Sequence, residues 1–398
     1  MTDHDKDALR KQLRERAREL VPVLAERAEQ CERERNVPEA TIREFQEAGF
    51  FRILQPARWG GMELDPQDFY DVQMTLAEGC MSSAWVLGVV AIHNWQLGLF
   101  DDRAAQDVWG EDTSVLLSSS YMPVGKVERV DGGFMLSGKW GFSSGCDHCD
   151  WVFLGAMVPP EPGQEGQAPD MRTFLVPRKD YEIIDDWFVM GLKGTGSKSI
   201  EMKGAFVPEY RTHKAQDGFT GINPGNEVNT APLFRLPFGQ IFVRAVSSSA
   251  IGATAGAIEV FKERVSKRVG KNTGKTAGES AFAQLALAEA VAAVDELKLV
   301  LHRNFDRLMA AAAAGEQLPM NDRIKMRYDA ARVLQRCVDV VDPLFAFAGG
   351  SGVYEGHPLL RIFLNLHTGR AHVANNPYTF GANWGAVQLG APNTDFFL

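Results

Sequence analysis

A chain of 398 residues, of which 45% are hydrophobic, can bury a large core, and this excludes a disordered protein. Its net charge of −9 argues against nucleic acid as a partner, because phosphate backbones bind clustered positive charge. The five cysteines, an odd number spread along the chain, do not match a secreted disulfide framework. Together with a charged N-terminus that does not resemble a signal peptide, they predict a cytoplasmic protein.

The first third of the chain predicts helices. From about Asp5 to Gly110, charged and apolar residues alternate at spacings of three and four. Asp65 and Pro66 predict a helix start, since a carboxylate can cap free amides and proline fits the first turn. The most apolar stretch, Ala84 to Phe100, is interrupted by polar residues and is too short for a membrane span. It therefore predicts a buried helix.

The middle third predicts a β-domain. Between about Ser114 and Tyr210, short apolar runs are separated by glycine, proline and Asp-Gly pairs. Asp131 and Gly132 predict the turn of a β-hairpin. The proline-rich run from Pro159 to Asp170 predicts a surface loop.

Long helical segments return in the last third. They run from Ile241 to Val269, from Glu279 to Ala314 and from Asn321 to Ala348, with the first broken by glycines and the last ended by Gly349 and Gly350. Such helices must pack on one another or on another subunit to bury their apolar stripes. The chain therefore divides into an N-terminal helical domain (1–113), a central β-domain (114–232) and a C-terminal helical domain (233–398).

Several familiar motifs are better explained by structure than by chemistry. The run from Gly270 to Thr276 resembles a phosphate-binding loop, but it is one residue short and follows a predicted helix. Gly252 and Gly256 lie within a helical pattern, which favours close helix packing over a dinucleotide fold. Cys146 and Cys149 have the spacing of zinc ligands but lack a second ligand pair. We expect a strand-end turn with half-buried thiols, and no metal.

Four polar residues have ordinary structural explanations when each is taken alone. His93 lies in an apolar helix, where a histidine held by core hydrogen bonds is the commoner case. Ser119 and Ser144 belong to serine runs at the ends of β-segments, where hydroxyls usually cap turns. His372 is compatible with a helix C-terminus. None of these residues decides the function by itself.

A set of motifs in a fixed order extends over nearly the whole chain. It comprises His93 to Trp95, Leu99 to Phe100, Trp109 to Asp112, Ser118 to Tyr121, Ser143 to His148, Gly191 to Ser197, Phe206 to Pro208, Phe347 to Gly350 and Gly369 to His372. With the order helices, strands, helices, this set resembles the acyl-CoA dehydrogenase superfamily. Within it, the chain is most similar to the oxygenase components of two-component flavin-dependent phenol monooxygenases, of the secosteroid and 4-hydroxyphenylacetate types.

The resemblance implies a fold and a reaction. The fold is α+β and mainly α, with an N-terminal helical domain, a central β-barrel or sandwich and a C-terminal four-helix bundle. The cofactor is reduced FMN, with FADH2 as the alternative, supplied by a separate reductase, and O2 is the co-substrate. A flavin C4a-hydroperoxide would hydroxylate a bulky phenol, best matched by a secosteroid phenol, at the ortho carbon. Family precedent implies a homotetramer.

The resemblance also assigns residue roles. His93 and Ser119 would hold the phenol oxygen, and His93 would take its proton. Ser144 would hydrogen-bond flavin N5, while His372 would assist formation or protonation of the peroxide. Arg268 would contact flavin phosphate across a subunit boundary, with a solvated helix end as the alternative. Aromatic walls from Trp85, Trp95, Tyr121 and Phe142 would exclude water. The implied cofactor-binding set is Trp85, Ser119, Tyr121, Phe142, Ser143, Ser144, Arg268, Gly349, Gly350 and His372.

Two other interpretations stay open. Acyl-CoA dehydrogenases need a carboxylate base, often near the C-terminus, but the comparable stretch from His372 to Phe380 has no acid. Tyr354 and Glu355 occur earlier, before Pro358, and another helix could supply a base. An FAD-dependent acyl-CoA dehydrogenase is therefore the main rival. The third interpretation is a non-catalytic flavin-binding relative.

Overall fold

Helices form the N-terminal part of the protein, as predicted. The computed structural model describes residues 3–161, 163, 170–269 and 274–398. Its first helices are α1 (Asp3–Glu34), α2 (Glu39–Glu47), α3 (Pro66–Ala77), α4 (Met81–Leu97) and α5 (Asp102–Trp109). α1 buries one side because its apolar residues recur at spacings of three, four and seven, which return to the same helical face. These residues are Leu13, Ala17, Leu24, Ala28 and Cys31.

The start of α3 matches the prediction, but its cap does not. The helix begins at Pro66, and the Asp65 side chain makes no capping hydrogen bond. Asp65 instead accepts a hydrogen bond from Arg10 Nη2 at 2.9 Å, and Asp68 accepts one from Arg10 Nε at 2.8 Å. A carboxylate gains more from a guanidinium than from a neutral amide. Asp65 therefore ties α3 to α1.

Two apolar helical stretches lie in the interior. Every residue of α4 is buried, as the apolar stretch predicted. Among the described residues, Phe238–Val265 alone is long and apolar enough to cross a membrane by length and composition. Its apolar window is 94% buried inside the protein. Helices that are apolar on all sides are expected in the core of a large protein.

The middle of the chain forms one mixed sheet of seven strands in the order β5-β6-β2-β1-β3-β4-β7. The strands are β1 (Leu117–Val130), β2 (Gly133–Ser143), β3 (Trp151–Val158), β4 (Asp170–Pro177), β5 (Glu182–Ile184), β6 (Lys198–Pro208) and β7 (Thr212–Lys214). The predicted hairpin is confirmed, since Val130 pairs with Gly133 across the Asp-Gly turn. β1 and β3 are parallel, with Ser119 beside Phe153.

The C-terminal part is helical again. It contains α6 (Ala215–Thr220), α7 (Phe238–Ala245), α8 (Ser248–Val260), α9 (Ala281–Ala313), α10 (Met320–Ala331), α11 (Val333–Ala346), α12 (Pro358–Arg370) and α13 (Pro377–Gln388). The predicted glycine break in the first segment is wrong, because the chain is interrupted at Val246–Ser247 instead, and a further interruption lies at Arg332. Gly252 instead lies inside α8, where an added Cβ would approach Met74 O to 1.8 Å. The prediction of close helix packing there is confirmed.

Some predictions extend beyond the described residues. Residues 162 and 164–169 of the predicted surface loop lie outside them, as do residues 270–273 of the run that resembles a phosphate-binding loop. The strands, from Leu117 to Lys214, lie within the predicted β-domain. The three domain boundaries themselves stay predictions.

Candidate active site

His93 lies in the middle of α4, and its side chain is fully buried. Its Nδ1 lies 2.6 Å from the carbonyl oxygen of Leu117, at the start of β1. Since a carbonyl oxygen only accepts, Nδ1 must carry the proton, which leaves Nε2 as an acceptor. Nε2 is buried with no hydrogen-bond partner among the described residues, and burial lowers the pKa of His93 to about 4. A neutral imidazole with a free basic nitrogen is thus fixed in the interior.

Tyr121 lies beside this histidine, and Ser119 lies on the same face of β1 as Tyr121, because alternate residues of a strand point the same way. Ser119 is paired with Phe153, whose ring lies 5.8 Å from the His93 ring. The Tyr121 ring lies 6.1 Å from that of His93. Its hydroxyl donates a hydrogen bond to Gln96 Oε1, while burial raises the pKa of Tyr121. The structure therefore brings three of the predicted site residues together.

Aromatic rings form a wall next to Tyr121. The rings of Phe242 and Phe238 lie 5.0 and 5.4 Å from the Tyr121 ring. Phe397 packs against both, at 5.4 Å from Phe238 and 6.1 Å from Phe242. Trp95 stacks on Phe238 at 6.2 Å. Trp95 and Tyr121 were predicted for this wall, but the three phenylalanines were not. Their only signal in the sequence is that they are aromatic residues in an apolar helix and in the C-terminal tail.

Phe142 does not belong to this wall. Its side chain is 64% exposed, and its ring contacts Trp187 at 6.0 Å. Its backbone has a φ of +66°, so the chain turns sharply at the end of β2 and carries the ring outward. In the single chain its only ring contact among the described residues is with Trp187, so a role of Phe142 in excluding water stays a prediction. A place for Phe142 beside a cofactor stays a prediction.

Ser144 begins a chain of buried hydroxyls. Its Oγ lies 2.7 Å from Ser197 Oγ, which lies 2.6 Å from Thr195 Oγ1. Thr195 Oγ1 in turn donates a hydrogen bond to the carbonyl oxygen of Leu192 at 2.8 Å. The neighbouring Ser143 Oγ is buried without a partner among the described residues. The motif from Gly191 to Ser197 is therefore part of the site, since it supplies the partners of Ser144.

His372 has the opposite proton arrangement to His93. Its Nδ1 accepts a hydrogen bond from the backbone amide of Ala374 at 3.1 Å, so a neutral ring carries its proton on Nε2. Burial, with a further contribution from the Arg327 guanidinium, lowers the pKa of His372 to about 4. The ring meets that of Trp85 edge-on at 5.9 Å. His372 is thus a neutral side chain that can donate from Nε2.

α4 connects these groups. Trp85 and His93 are eight residues apart on it, about 12 Å along the helix axis. Gly145, directly after Ser144, packs between them, where its φ is +70° and an added Cβ would approach Val86 Cγ1 to 2.7 Å. The site therefore extends along one buried helix, with His93 and its aromatic neighbours at one end and Trp85 with His372 at the other.

A second, basic cavity contains the predicted Arg268. It has a volume of about 290 Å³ and is lined by Arg264, Val265, Lys267, Arg268, Ala348, Ser351 and His357. Arg268 Nη2 donates to the carbonyl oxygen of Phe347 at 3.1 Å. Gly349 has a φ of +57°, and an added Cβ would approach Arg268 Nη2 to 2.9 Å. The structure thus brings together Arg268, Gly349 and the adjacent Gly350. The lining of their cavity includes none of the residues around His93.

The Cys146 turn has no ligand arrangement in the described part of the chain. Residues 146–148 form a single helical turn between β2 and β3, as predicted. Cys146 and Cys149 are buried rather than half-buried, and burial raises the pKa of Cys146 to about 12. Among the described residues, no group of three or more His, Cys, Asp or Glu side chains is placed to hold a metal.

Comparisons with known proteins identify the family of the chain and match its fold. Residues 3–105 match the model for the acyl-CoA dehydrogenase N-terminal domain, and residues 245–377 match that for the C-terminal domain. The oxygenase subunit HsaA of a flavin-dependent monooxygenase from Rhodococcus jostii RHA1 is 39% identical, over 94% of this chain and 98% of its own. The p-hydroxyphenylacetate 3-hydroxylase oxygenase component of Acinetobacter baumannii is 31% identical, over 90% of this chain and 84% of its own.

The solved structure of 3-HSA hydroxylase from Rhodococcus sp. RHA1 superposes with a TM-score of 0.92, at 37% identity, covering 97% of this chain and 99% of its own. The fold and the matched domains place the protein in the acyl-CoA dehydrogenase class of flavoproteins. Within that class, the chain belongs to the oxygenase components of flavin-dependent monooxygenases. Reduced flavin with O2 is consistent with these relatives, one of which, XiaF from Streptomyces, was solved with FADH2.

Glu355 is not placed to act as the catalytic base that an acyl-CoA dehydrogenase needs. Glu355, the acid nearest to the C-terminal motif in the sequence, is exposed on the turn before α12. It is not among the residues that surround His93. The identification as a monooxygenase therefore agrees with the absence of an acid from His372 to Phe380.

Proposed function

We propose that the protein hydroxylates a bulky phenol at the carbon ortho to its hydroxyl, with reduced FMN, or FADH2, supplied by a separate reductase. The observation that carries this proposal is the unpartnered Nε2 of His93, fixed as an acceptor close to the rings of Tyr121 and Phe153. A buried polar atom without a partner costs free energy unless a ligand pairs with it. A phenol hydroxyl is the donor that fits this atom.

His93 acts in this proposal as the base for the phenol. With a pKa of about 4, its ring is neutral at pH 7 and can accept a proton at Nε2. Ser119 holds the phenol oxygen from the neighbouring strand. The phenolate formed in this way raises the electron density of the ortho carbon, which favours attack on an electrophilic oxygen.

The residues along α4 fit a flavin. Ser143 Oγ is a buried atom without a partner among the described residues, Ser144 offers an acceptor, and His372, beside Trp85, offers a donor. When bound, reduced flavin supplies the two electrons that activate O2. The cofactor-binding set is the one implied by the resemblance: Trp85, Ser119, Tyr121, Phe142, Ser143, Ser144, Arg268, Gly349, Gly350 and His372.

The basic cavity supports binding of the flavin phosphate by Arg268. Three cationic side chains, Arg264, Lys267 and Arg268, line it together with His357. Phosphate groups prefer such clusters, and Gly349 leaves room for the guanidinium. Since this cavity lacks the residues of the His93 pocket, we propose that it serves the flavin of a neighbouring subunit.

The pocket favours a large apolar substrate. Its wall of Phe238, Phe242 and Phe397, with Tyr121 and Trp95, offers ring faces for stacking. A relative of known structure is named 3-HSA hydroxylase. A secosteroid phenol is therefore the proposed substrate.

We further propose a homotetramer in the cytoplasm. α9 exposes the apolar side chains Phe282, Leu285 and Leu299, which a second copy of the chain would cover. All five cysteines are free thiols, which fits a reducing compartment.

To test this, the protein loaded with anaerobically reduced FMN is mixed with isotopically labelled O2 and a bulky phenol, such as 2-naphthol or a secosteroid phenol. The expected product is a catechol that carries one labelled oxygen atom, detected by mass spectrometry. His93→Gln should lose this product while hydrogen peroxide is still released. Acyl-CoA-dependent dye reduction with no oxygenated product would instead support a dehydrogenase and overturn the proposal.

A further inference from the structure

We propose that Ser197 and Thr195 are positioning residues that fix Ser144 as a hydrogen-bond acceptor, so that the site selects reduced over oxidised flavin. The inference deepens the proposed function and rests on it, because it assumes that flavin N5 faces Ser144. It gives a physical role to the motif from Gly191 to Ser197.

The hydroxyl chain is short, buried and anchored at one end. Ser144, Ser197 and Thr195 are 9%, 5% and 1% exposed, so little water competes for their hydrogen bonds. The anchor is the carbonyl oxygen of Leu192, which also accepts a hydrogen bond from Trp187 Nε1 at 3.1 Å. The Leu192 amide donates to Asn365 Oδ1 at 2.6 Å, which holds this backbone in place.

The direction of each hydrogen bond follows from proton counting. A carbonyl oxygen has no proton to donate, so the only hydroxyl proton of Thr195 must lie in its hydrogen bond to the carbonyl oxygen of Leu192. Ser197 must then donate to Thr195 Oγ1, because the 2.6 Å contact needs one proton. Ser144 must likewise donate to Ser197 at 2.7 Å. The Ser144 oxygen therefore has only lone pairs left for a ligand.

This direction distinguishes the two redox states of flavin. Reduced flavin carries a proton on N5 and is a donor there, whereas oxidised flavin has a lone pair at N5 and is an acceptor. A Ser144 oxygen that can only accept forms a hydrogen bond with N5–H of reduced flavin. With oxidised flavin it would place two lone pairs against each other. A mismatched polar contact in a buried site costs about tenfold or more in affinity. A site of this kind takes up reduced flavin and releases the oxidised form after turnover.

The first variant is Thr195→Val, which removes the hydroxyl at nearly constant shape. Ser197 is then free to donate to Ser144, and Ser144 can donate outward. The dissociation constants of oxidised and anaerobically reduced FMN are measured by titration. The preference for reduced FMN should fall about tenfold relative to the unmodified protein. Thr195→Ser keeps the hydroxyl and should retain the original preference.

A flavin analogue tests the same point without a mutation. Reduced 5-deaza-FMN has carbon in place of N5 and offers no N–H donor. The unmodified protein should bind reduced FMN about tenfold more tightly than the reduced analogue, because only the N5 proton pairs with the Ser144 lone pairs. Thr195→Val should bind oxidised FMN more tightly than the unmodified protein does, because Ser144 can then donate to N5. If the valine variant does not fold, as judged by circular dichroism, Ser197→Ala is used instead. It removes the hydroxyl that accepts the Ser144 proton, and the same binding results are expected.

Failure of this inference is distinguishable from failure of the proposed function. Unchanged preference for reduced FMN in folded Thr195→Val or Ser197→Ala, with phenol hydroxylation intact, overturns the hydroxyl chain alone. Absence of reduced-flavin binding and of hydroxylation in the unmodified protein overturns the proposed function and this inference with it.

Discussion

At two histidines, one backbone hydrogen bond decides which ring nitrogen carries the proton. His93 gives its Nδ1 proton to Leu117, and His372 receives the Ala374 amide at Nδ1. One ring therefore presents a base at Nε2 and the other a donor. Because burial lowers the pKa of both to about 4, both are neutral at pH 7.

The first prediction concerns the base. His93→Gln keeps a polar group of similar size but cannot take a proton, so hydroxylation should fall about 100-fold or more. Activity should recover partly at high pH, where the phenol ionises without help. Product formation and peroxide release are measured together across pH 6–10. His213→Gln is the control, since this histidine is also buried with a pKa of about 4 but hydrogen-bonds Asn223. Equal losses in both variants would contradict a base at His93.

The second prediction concerns stability in acid. Burial depresses the pKa of His93 and His213 to about 4 in the folded protein, below the usual 6.5. The unfolded state therefore binds more protons between these values, and stability present above pH 6.5 is lost as the pH falls toward 4. Each histidine contributes a slope of up to about 1.4 kcal/mol per pH unit. The melting temperature of His213→Gln should fall less between pH 7 and 5 than that of the unmodified protein. An identical fall would show that protonation of His213 does not contribute to the loss of stability in acid.

At the scale of elements, the end of the chain completes the pocket. Leu398 is 1% exposed, and its carbonyl oxygen accepts a hydrogen bond from Arg323. The same guanidinium donates to Phe219 O, in α6, at 2.6 Å. Arg323 thus fastens two segments that are distant in sequence. Phe397, directly before the terminus, is held against Phe238 by this arrangement.

The third prediction follows from that wall. Phe397→Ala should enlarge the pocket and change the ratio of kcat/KM for bulky and small phenols by about tenfold in favour of the bulky ones. Phe396→Ala is the matched control, because Phe396 is 68% exposed and points away from the wall. The ratio is measured with 2-naphthol, a secosteroid phenol and phenol itself. A similar shift in both variants would mean that the tail acts through general disorder rather than through the Phe397 ring.

At the scale of the whole molecule, α9 has an apolar surface that the single chain leaves open. Phe282, Leu285 and Leu299 lie within about 100° of one another around the helix, at 100° per residue. Their side chains are 79%, 60% and 63% exposed. Monomeric proteins seldom expose such a stripe. The stripe therefore supports the proposed tetramer.

The fourth prediction tests this surface. Leu285→Glu should weaken assembly, because an interface excludes an unpaired carboxylate, and sedimentation velocity should show smaller species. Val291→Glu provides the control, since Val291 is 51% exposed on the side of α9 opposite to Phe282. Loss of assembly should also weaken flavin binding if Arg268 serves a neighbouring subunit. If the tetramer persists in both Leu285→Glu and Val291→Glu, the subunit interface does not include this surface of α9.

Local patterns were enough for much of the fold. The Asp-Gly pair at Asp131 predicts its hairpin because only a few residue pairs adopt that turn. The apolar stretch around His93 predicts a buried helix because water must be excluded from it. The pattern of motifs also supplied the family and the candidate roles of Ser119, Ser144 and His372. Spacing alone misplaced the breaks in the C-terminal helices, since Gly252 is needed for contact with α3 rather than for a turn.

The sequence by itself determined the order of helices and strands, the buried position of His93 and the family, because these depend on neighbouring residues and on motif order. The tertiary structure decided which nitrogen of His93 is basic, since the partner of Nδ1 is a carbonyl on another element. It also decided which residues hydrogen-bond Ser144 and that the Phe397 ring joins the aromatic wall. Each of these depends on atoms far apart in the chain, whose approach no local spacing specifies.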